Sequence, residues 1–185
     1  QLFNVHTIPS TAVYARSGQE VRKMRIAVFS DTPGRPELLE NAVRRTSPDI
    51  LVHLGDHIRD SRVLSAAFPD IPLYAVPGNC DFASREQDTL EFFAGPVKVF
   101  ATHGHRYYVK STMDSLLNAA HFSGAKLVLY GHTHIAHIDY PAGMTVVNPG
   151  SSGLGAEPSF AQIDISDGGG VAARILPMLP KDRYM

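Results

Sequence analysis

The sequence predicts an α/β fold in which two β-sheets pack face to face and helices cover their outer faces. In the first half of the chain, short apolar runs typical of buried strands alternate with amphipathic stretches typical of helices. In the second half, strand-like runs follow one another between glycine-rich turns. Each of the first three apolar runs ends at a polar cluster, as expected for strand–loop–helix units of a parallel sheet.

The first half predicts three strands joined by two helices. Pro36 suits the first turn of a helix, where the backbone N–H that proline lacks is not needed. Ligands of such sheets bind outside the carboxyl ends of the strands, so the polar clusters there are candidate site residues. The predicted strands are 25–30, 50–54 and 73–76, and the predicted helices begin at Pro36 and span 61–67.

The second half predicts mainly strands. Gly95-Pro96 is a turn signal between two strand-like runs and predicts a hairpin of 89–94 with 97–102. Ser111 is expected to cap a helix that runs to about Phe122. The remaining predicted strands are 127–130, 136–140, 144–147, 159–165 and 171–176.

Composition excludes several classes of protein. A chain of 185 residues with 44% hydrophobic and 19% charged residues is globular and long enough for one sizeable core. Seventeen Lys and Arg against 18 Asp and Glu give a net charge of −1, so we expect no stable nucleic-acid binding. No apolar run reaches the ~18 residues that span a bilayer, so no membrane partner is expected. The single cysteine excludes an internal disulfide and favours a cytoplasmic protein.

Residues 1–23 differ from the rest of the chain, because they show neither strand alternation nor helical periodicity. Met24 stands directly before the first predicted strand. We therefore expect residues 1–23 to be an extension that is disordered or precedes the native start, and residues 24–185 to form a single domain. A homo-oligomer of this domain is compatible with the sequence.

Histidines and carboxylates collect at the predicted strand ends. Eight of the nine histidines lie between His53 and His137. Carboxylate and imidazole are ligands of Mn, Fe, Ni, Zn and Co, and the absence of a cysteine pair argues against a structural zinc site. One carboxylate can also bridge two cations ~3.5–4 Å apart. The clusters are Asp31, Gly55-Asp56, Gly78-Asn79, Thr102-His103-Gly104-His105 and Gly131-His132-Thr133-His134.

Taken in order, these clusters resemble the motifs of the calcineurin-like metallophosphoesterases. The resemblance covers about residues 24–178 and is closest to the small prokaryotic phosphodiesterase branch, which has Gly-Asn-Cys-Asp where larger relatives have Gly-Asn-His. It implies a four-layer α/β/β/α sandwich with two mixed sheets and a metal site at its rim. The motifs are Ser30-Asp31-Thr32, Leu54-Gly55-Asp56, Gly78-Asn79-Cys80-Asp81, Thr102-His103-Gly104-His105, Gly131-His132-Thr133-His134 and Asn148-Pro149-Gly150-Ser151.

The resemblance also implies roles for individual residues. Asp31 and His134 are expected to hold one metal. Asn79, His103 and His132 are expected to hold a second. Asp56 is expected to bridge the two, and His105 to contact the substrate. The implied cofactors are one or two divalent ions per chain, with Mn preferred over Ni, Fe, Zn or Co.

One motif departs from the family. The first motif of the family is Asp-x-His, and its histidine is a metal ligand, whereas this chain has Asp31-Thr32-Pro33. Proline offers no donor, so the first site keeps three protein ligands, and His57 is a candidate replacement. By contrast, we expect His53 to be a hydrogen-bonded core histidine and Cys80 to be a small loop residue without a lowered pKa.

Two functions follow as hypotheses. The first is a phosphodiesterase or phosphatase in which a metal-activated hydroxide hydrolyses a small phosphoester. The second is a catalytically weakened or non-catalytic scaffold that binds proteins, as does the retromer subunit that resembles this family. The change at Pro33 supports the second hypothesis, and the retention of the other predicted ligands supports the first. A mononuclear enzyme with altered metal preference lies between them.

Overall fold

The computed structural model describes residues 23–32 and 34–179, and these residues form ten strands and three α-helices. The strands are β1 Lys23–Phe29, β2 Ile50–His53, β3 Leu73–Ala75, β4 Thr89–Ala94, β5 Val97–Thr102, β6 Leu127–Leu129, β7 His137–Asp139, β8 Thr145–Asn148, β9 Ser159–Ser166 and β10 Val171–Pro177. The helices are α1 Pro36–Thr46, α2 Arg59–Ala67 and α3 Asp114–Ser123, with short 3₁₀ helices at His105–Tyr107 and Pro141–Gly143.

The strands form two mixed five-stranded sheets. The first sheet has the order β10-β9-β1-β2-β3, in which β1, β2 and β3 are parallel and β9 and β10 are antiparallel to their neighbours. The second has the order β4-β5-β6-β8-β7, in which β5, β6 and β8 are parallel and the edge strands are antiparallel. Two mixed sheets flanked by helices confirm the predicted fold class.

Apolar side chains separate the molecule into four layers. Successive side chains of a strand point to opposite faces, so Ile26 and Val28 of β1 pack between the sheets while Ala27 and Phe29 pack beneath the helices. Helix α1 buries Leu39 among the outward residues of the first sheet. Helix α3 buries Leu116 on the outer face of the second sheet. Burying both faces of each sheet explains why the strands are such continuous apolar runs.

The predicted start of α3 was wrong. The helix begins at Asp114, and its N-terminal N–H is met by the Thr112 hydroxyl at 3.2 Å, so Ser111 does not cap it. Ser111 instead closes a turn, because its N–H donates to the Tyr108 carbonyl at 2.8 Å. The extension predicted at residues 1–23 lies outside the described residues except for Lys23, which opens β1. In the described part of the chain, no helix has the length and apolar character needed to cross a bilayer.

The sheet directions bring the polar clusters to one edge of the sandwich. The loops after β1 and β2 are joined by the Asp31 N–H, which donates to the Gly55 carbonyl at 2.9 Å. Across the second sheet, the Gly131 N–H donates to the His103 carbonyl at 3.1 Å. The fold therefore holds loops from both sheets together at the carboxyl ends of their parallel strands.

Candidate metal centre

One oxygen of the Asp31 carboxylate accepts hydrogen bonds and the other accepts none from the described residues. Its Oδ2 accepts hydrogen bonds from the Ser30 hydroxyl at 2.6 Å and from the His132 N–H at 3.2 Å. Its Oδ1 is buried and has no hydrogen-bond partner among the described residues. This oxygen lies 3.0 Å from His134 Nε2, but the pair lacks hydrogen-bond geometry. A buried anionic oxygen without a donor is costly unless a cation occupies the space before it.

Asp56 stands at the centre of the cluster. Its Oδ1 accepts the Cys80 N–H at 2.8 Å and lies 3.7 Å from His103 Nε2. Burial acts to raise the pKa of Asp56, but the Cys80 N–H and the nearby His103 outweigh it and hold the pKa below its usual value. Donor atoms of Asp31, Asp56 and His134 all lie within 4.8 Å of one another. Their spacing fits one divalent ion.

The tautomer of His103 is fixed by its surroundings. Its ring is fully buried, and its Nδ1 lies 2.6 Å from the Leu54 carbonyl, which can only accept a hydrogen bond. Nδ1 therefore carries the proton, and Nε2 presents a lone pair. That lone pair lies 3.2 Å from Asn79 Oδ1. His103 Nε2, Asn79 Oδ1 and Asp56 Oδ1 thus all present lone pairs to the same region. A histidine that ligates a metal usually donates the N–H of its other ring nitrogen to a carbonyl, as His103 does here.

His132 and His105 complete the imidazole group. The ring centre of His132 lies 5.0 Å from that of His103, and the ring centre of His105 lies 5.3 Å from it. Burial and the neighbouring His103 lower the pKa of His132 to about 4. The same two causes lower the pKa of His105, whose buried Nδ1 has no hydrogen-bond partner among the described residues. Both rings are therefore neutral at pH 7 and can bind a metal or a substrate through nitrogen.

The loops that present these residues have unusual backbone conformations. A positive φ is uncommon for residues other than glycine and is found mainly where surrounding structure enforces it, often at functional sites. Gly78 is needed for a different reason, because a Cβ there would collide with the carboxylate of Asp56. Predicted ligands with positive φ are Asp31 at 52°, Asp56 at 54°, His132 at 67° and His134 at 61°.

A buried chain of hydrogen bonds connects the two carboxylate loops, and two of its members, Thr32 and His53, were not among the predicted site residues. The Gly55 N–H donates to His53 Nδ1 at 3.2 Å, so the proton of His53 is on Nε2. His53 Nε2 lies 3.2 Å from the Thr32 hydroxyl, which donates in turn to the Asp56 carbonyl at 3.4 Å. His53 is thus a hydrogen-bonded core residue, as expected, and it also fixes the spacing of the loops.

Two further residues position the loops without being candidate ligands. Asp81 accepts the Gly78 N–H at 2.9 Å and the Ile58 N–H at 3.0 Å, which fastens the Asn79 loop to the start of α2. The Ser151 hydroxyl donates to the Asp31 carbonyl at 2.8 Å. Both belong to motifs that the sequence singled out, Gly-Asn-Cys-Asp and Asn-Pro-Gly-Ser, but the roles of these two residues depend on contacts that spacing does not reveal.

The sequence also led to predictions for three residues beside the site. His57 is exposed and is not one of the residues whose donor atoms converge with Asp31, so the structure does not supply it as a replacement ligand. Pro33 lies outside the described residues. Burial, with the adjacent Asp56, raises the pKa of the Cys80 thiol, which agrees with its expected lack of nucleophilic character.

The donor set fits divalent cations of the borderline class. Carboxylate, amide and imidazole donors converge, and the structure holds the ring of His103 in the tautomer that a metal requires. The donors form two groups that share Asp56, one with Asp31 and His134 and one with Asn79 and His103. With divalent ions held by these residues, the site would neutralise the charge of a phosphate beside the neutral imidazole of His105.

The chain is similar to a family of known proteins. Residues 24–168 match the calcineurin-like phosphoesterase superfamily domain. Over 131 residues the chain is 35% identical to the probable metallophosphoesterase YsnB of Bacillus subtilis, covering 69% of this chain and 75% of that protein.

Two solved structures share the fold. A predicted phosphoesterase from Streptococcus pneumoniae has a TM-score of 0.67 at 24% identity, covering 84% of this chain and 98% of that one. Wild-type Vps29 of Entamoeba histolytica, complexed with Zn²⁺, has a TM-score of 0.64 at 17% identity, covering 84% and 100%. At these identities the likeness is one of fold.

Proposed function

Because the chain belongs to the calcineurin-like phosphoesterase superfamily, whose members bind divalent metals, we propose that it is a metal-dependent phosphodiesterase that hydrolyses a small phosphoester. One observation carries the proposal. The Oδ1 of Asp31 is buried without a hydrogen-bond partner among the described residues and lies 3.9 Å from His103 Nε2, which in turn lies 3.2 Å from Asn79 Oδ1. A cation placed before the buried Oδ1 of Asp31 relieves that arrangement.

Each candidate ligand has a proposed place. Asp31 and His134 hold one metal, and Asn79, His103 and His132 hold the other. Asp56 lies between both groups and serves each with its carboxylate. When bound, the metals supply Lewis acidity at the phosphoryl oxygens and a water of lowered pKa. Manganese is the proposed ion, since imidazole, carboxylate and amide donors together suit it.

His105 is the proposed contact to the substrate. Its lowered pKa keeps the ring neutral at pH 7, so one ring nitrogen offers an N–H to a phosphoryl or leaving-group oxygen. The fold leaves the site open, because only 13 residues, 76–88, connect β3 to β4 and none of them forms a cap domain. A small phosphoester in the cytoplasm is therefore the proposed substrate, and the single cysteine supports that compartment.

Hydrolysis of bis(4-nitrophenyl) phosphate by protein freed of metal and then supplied with Mn²⁺ tests the proposal. We expect no activity with chelator, activity with Mn²⁺, and a loss of at least ~100-fold in His132→Ala. His137→Ala is the matched control, since His137 is an exposed histidine of β7 outside the cluster. A His132→Ala protein that folds, as judged by circular dichroism, and keeps the parent rate would contradict the ligand assignment.

A scaffold that binds other proteins is the alternative. It is favoured by Pro33, which stands where the family has a ligand histidine. The same hydrolysis assay separates the two functions. A scaffold predicts that the protein takes up metal and shows no metal-dependent turnover of any phosphodiester, with Pro33→His failing to restore it.

A further inference from the structure

A cavity of 580 Å³ opens beside the candidate metal centre. Its volume falls within the range of about 300–1,000 Å³ that is usual for small-molecule sites. Asn79 and His105 form the wall nearest the site, and Phe82, Arg85 and Arg106 form the remainder with neighbouring loop residues. The cavity therefore adjoins His105, the proposed contact to the substrate.

Phe82 is held at the tip of a tight turn. The Ser84 N–H donates to the Asp81 carbonyl at 2.9 Å, which places Phe82 at the first central position of a four-residue turn. The ring is 94% exposed at a position where small polar residues usually occur. Because Asp81 accepts the N–H groups of Gly78 and Ile58, the backbone of this turn is tied to the loop that carries Asn79.

Several charged side chains in the other walls of the cavity form ion pairs. Asp88 is paired with Arg106 at 2.6 Å, and Glu86 is paired with Arg62 at 3.1 Å. Arg85 forms no ion pair within the described residues, but the unpaired carboxylate of Asp81 also lines the cavity, so the lining carries no net positive charge. The feature of the lining that selects a ligand is therefore the exposed aromatic ring of Phe82, which fits an ester that carries a flat apolar group.

We propose that this cavity is the leaving-group subsite and that it takes a planar aromatic ring, either an aryl group or a nucleobase, stacked on Phe82. The inference rests on the proposed function, since it presumes a phosphoester bound at the metal centre. Phe82 also borders a second cavity, of 520 Å³, with Cys80 and His57. The first cavity is the one assigned, because it alone of the two includes Asn79 and His105.

Equilibrium titration of Mn²⁺-loaded protein with three phosphate monoesters tests the assignment. Phenyl phosphate and adenosine 5′-monophosphate each carry a ring, and methyl phosphate does not. In Phe82→Ala we expect the Kd of a ring-bearing ligand to rise about tenfold. The Kd of methyl phosphate should stay within about twofold of the parent value, since it makes no stacking contact. Phe122→Ala is the matched control, because Phe122 is 89% exposed at the far end of α3.

The outcomes are distinct. A selective loss for phenyl phosphate identifies an aryl subsite, and a larger loss for adenosine 5′-monophosphate identifies a nucleobase subsite. Equal changes for all three ligands, or no change, would overturn the inference even if phosphodiester hydrolysis is intact. Titration requires no turnover, so a failure of the proposed function is recognised separately, as an absence of Mn²⁺-dependent hydrolysis in the parent protein.

Discussion

At the scale of single residues, the geometry of the carboxylates depends on groups that do not touch a ligand. Asp31 and Asp56 both adopt positive φ, which ordinary side chains avoid. The chain from Gly55 through His53 and Thr32 back to Asp56 holds them in that conformation. The free oxygen of Asp31 is therefore placed by hydrogen bonds as well as by the strand that precedes it.

Thr32 provides a direct test of this positioning. Thr32→Val keeps the shape of the side chain but removes the hydroxyl, which leaves the N–H of His53 and the carbonyl of Asp56 unpaired. We expect the affinity for Mn²⁺ to fall about tenfold, as for other outer partners of metal sites. Thr32→Ser keeps the hydroxyl and should bind within about twofold of the parent. Calorimetric titration measures both, and equal affinities in the two variants would contradict the positioning role.

His53 predicts how stability depends on pH. Burial lowers the pKa of His53 from 6.5 to about 4. Between these values the unfolded chain binds a proton that the folded chain does not, so stability is full above pH 6.5 and falls as the pH drops toward 4, by up to about 3 kcal/mol. His53→Gln has no imidazole to protonate, so it should not show this loss of stability between pH 6.5 and 4. Urea denaturation of both proteins, free of metal, measures the difference, and an unchanged pH dependence in His53→Gln would contradict the assignment.

At the scale of elements, the strands were predictable and the loops were not. The hairpin of β4 and β5 has the predicted bounds, because Gly95-Pro96 leaves little choice of turn. Helix α1 begins at Pro36 as predicted. The start of α3 was misplaced because Ser111 belongs to a turn that its N–H closes with the Tyr108 carbonyl, and the helix begins only after that turn, at Asp114. Positive φ at Asp31 and His132 depends on long-range contacts that no local pattern contains.

The loops also give the two metal positions unequal support. In the proposed assignment, four candidate ligands would serve one position, Asp56, Asn79, His103 and His132, and three would serve the other, Asp31, Asp56 and His134. We predict that the position with four ligands is the tighter, by about tenfold or more, because losing a ligand costs at least as much as losing an outer partner. Calorimetry with elemental analysis measures this. A metal bound only by Asp31 and His134, with Asn79 and His103 free, would contradict it.

Pro33→His tests the origin of this difference. The added imidazole should strengthen the weaker position, so that the metal content rises toward two per chain and phosphodiester hydrolysis increases. Pro33→Ala is the control, because it removes the proline without adding a donor. If both variants behave alike, the proline ring and not the missing imidazole sets the affinity. If the new imidazole binds metal without any gain in hydrolysis, the scaffold function replaces the enzymatic one.

At the scale of the whole molecule, the order of the motifs along the chain is what indicated the family and its fold. The alternation of strands with helices in the first half and the accumulation of strands in the second half predicted the two-sheet arrangement, and the resemblance added the layer order that two mixed sheets confirm. The predicted ligands come together because parallel strands of both sheets end at one edge. Hydrogen-bond partners such as Ser151 and Asp81 escaped prediction, because each depends on a contact between segments distant in the sequence.

Anomalous scattering at the manganese edge, from crystals of Mn²⁺-loaded protein, tests most directly whether the converging donors form a metal centre. We predict a peak within coordination distance of Asp56, Asn79 and His103, and a weaker peak beside Asp31 and His134. Two results would contradict the proposed centre. One is a manganese peak at other side chains, and the other is the absence of a peak at these side chains in a protein that hydrolyses phosphodiesters with Mn²⁺.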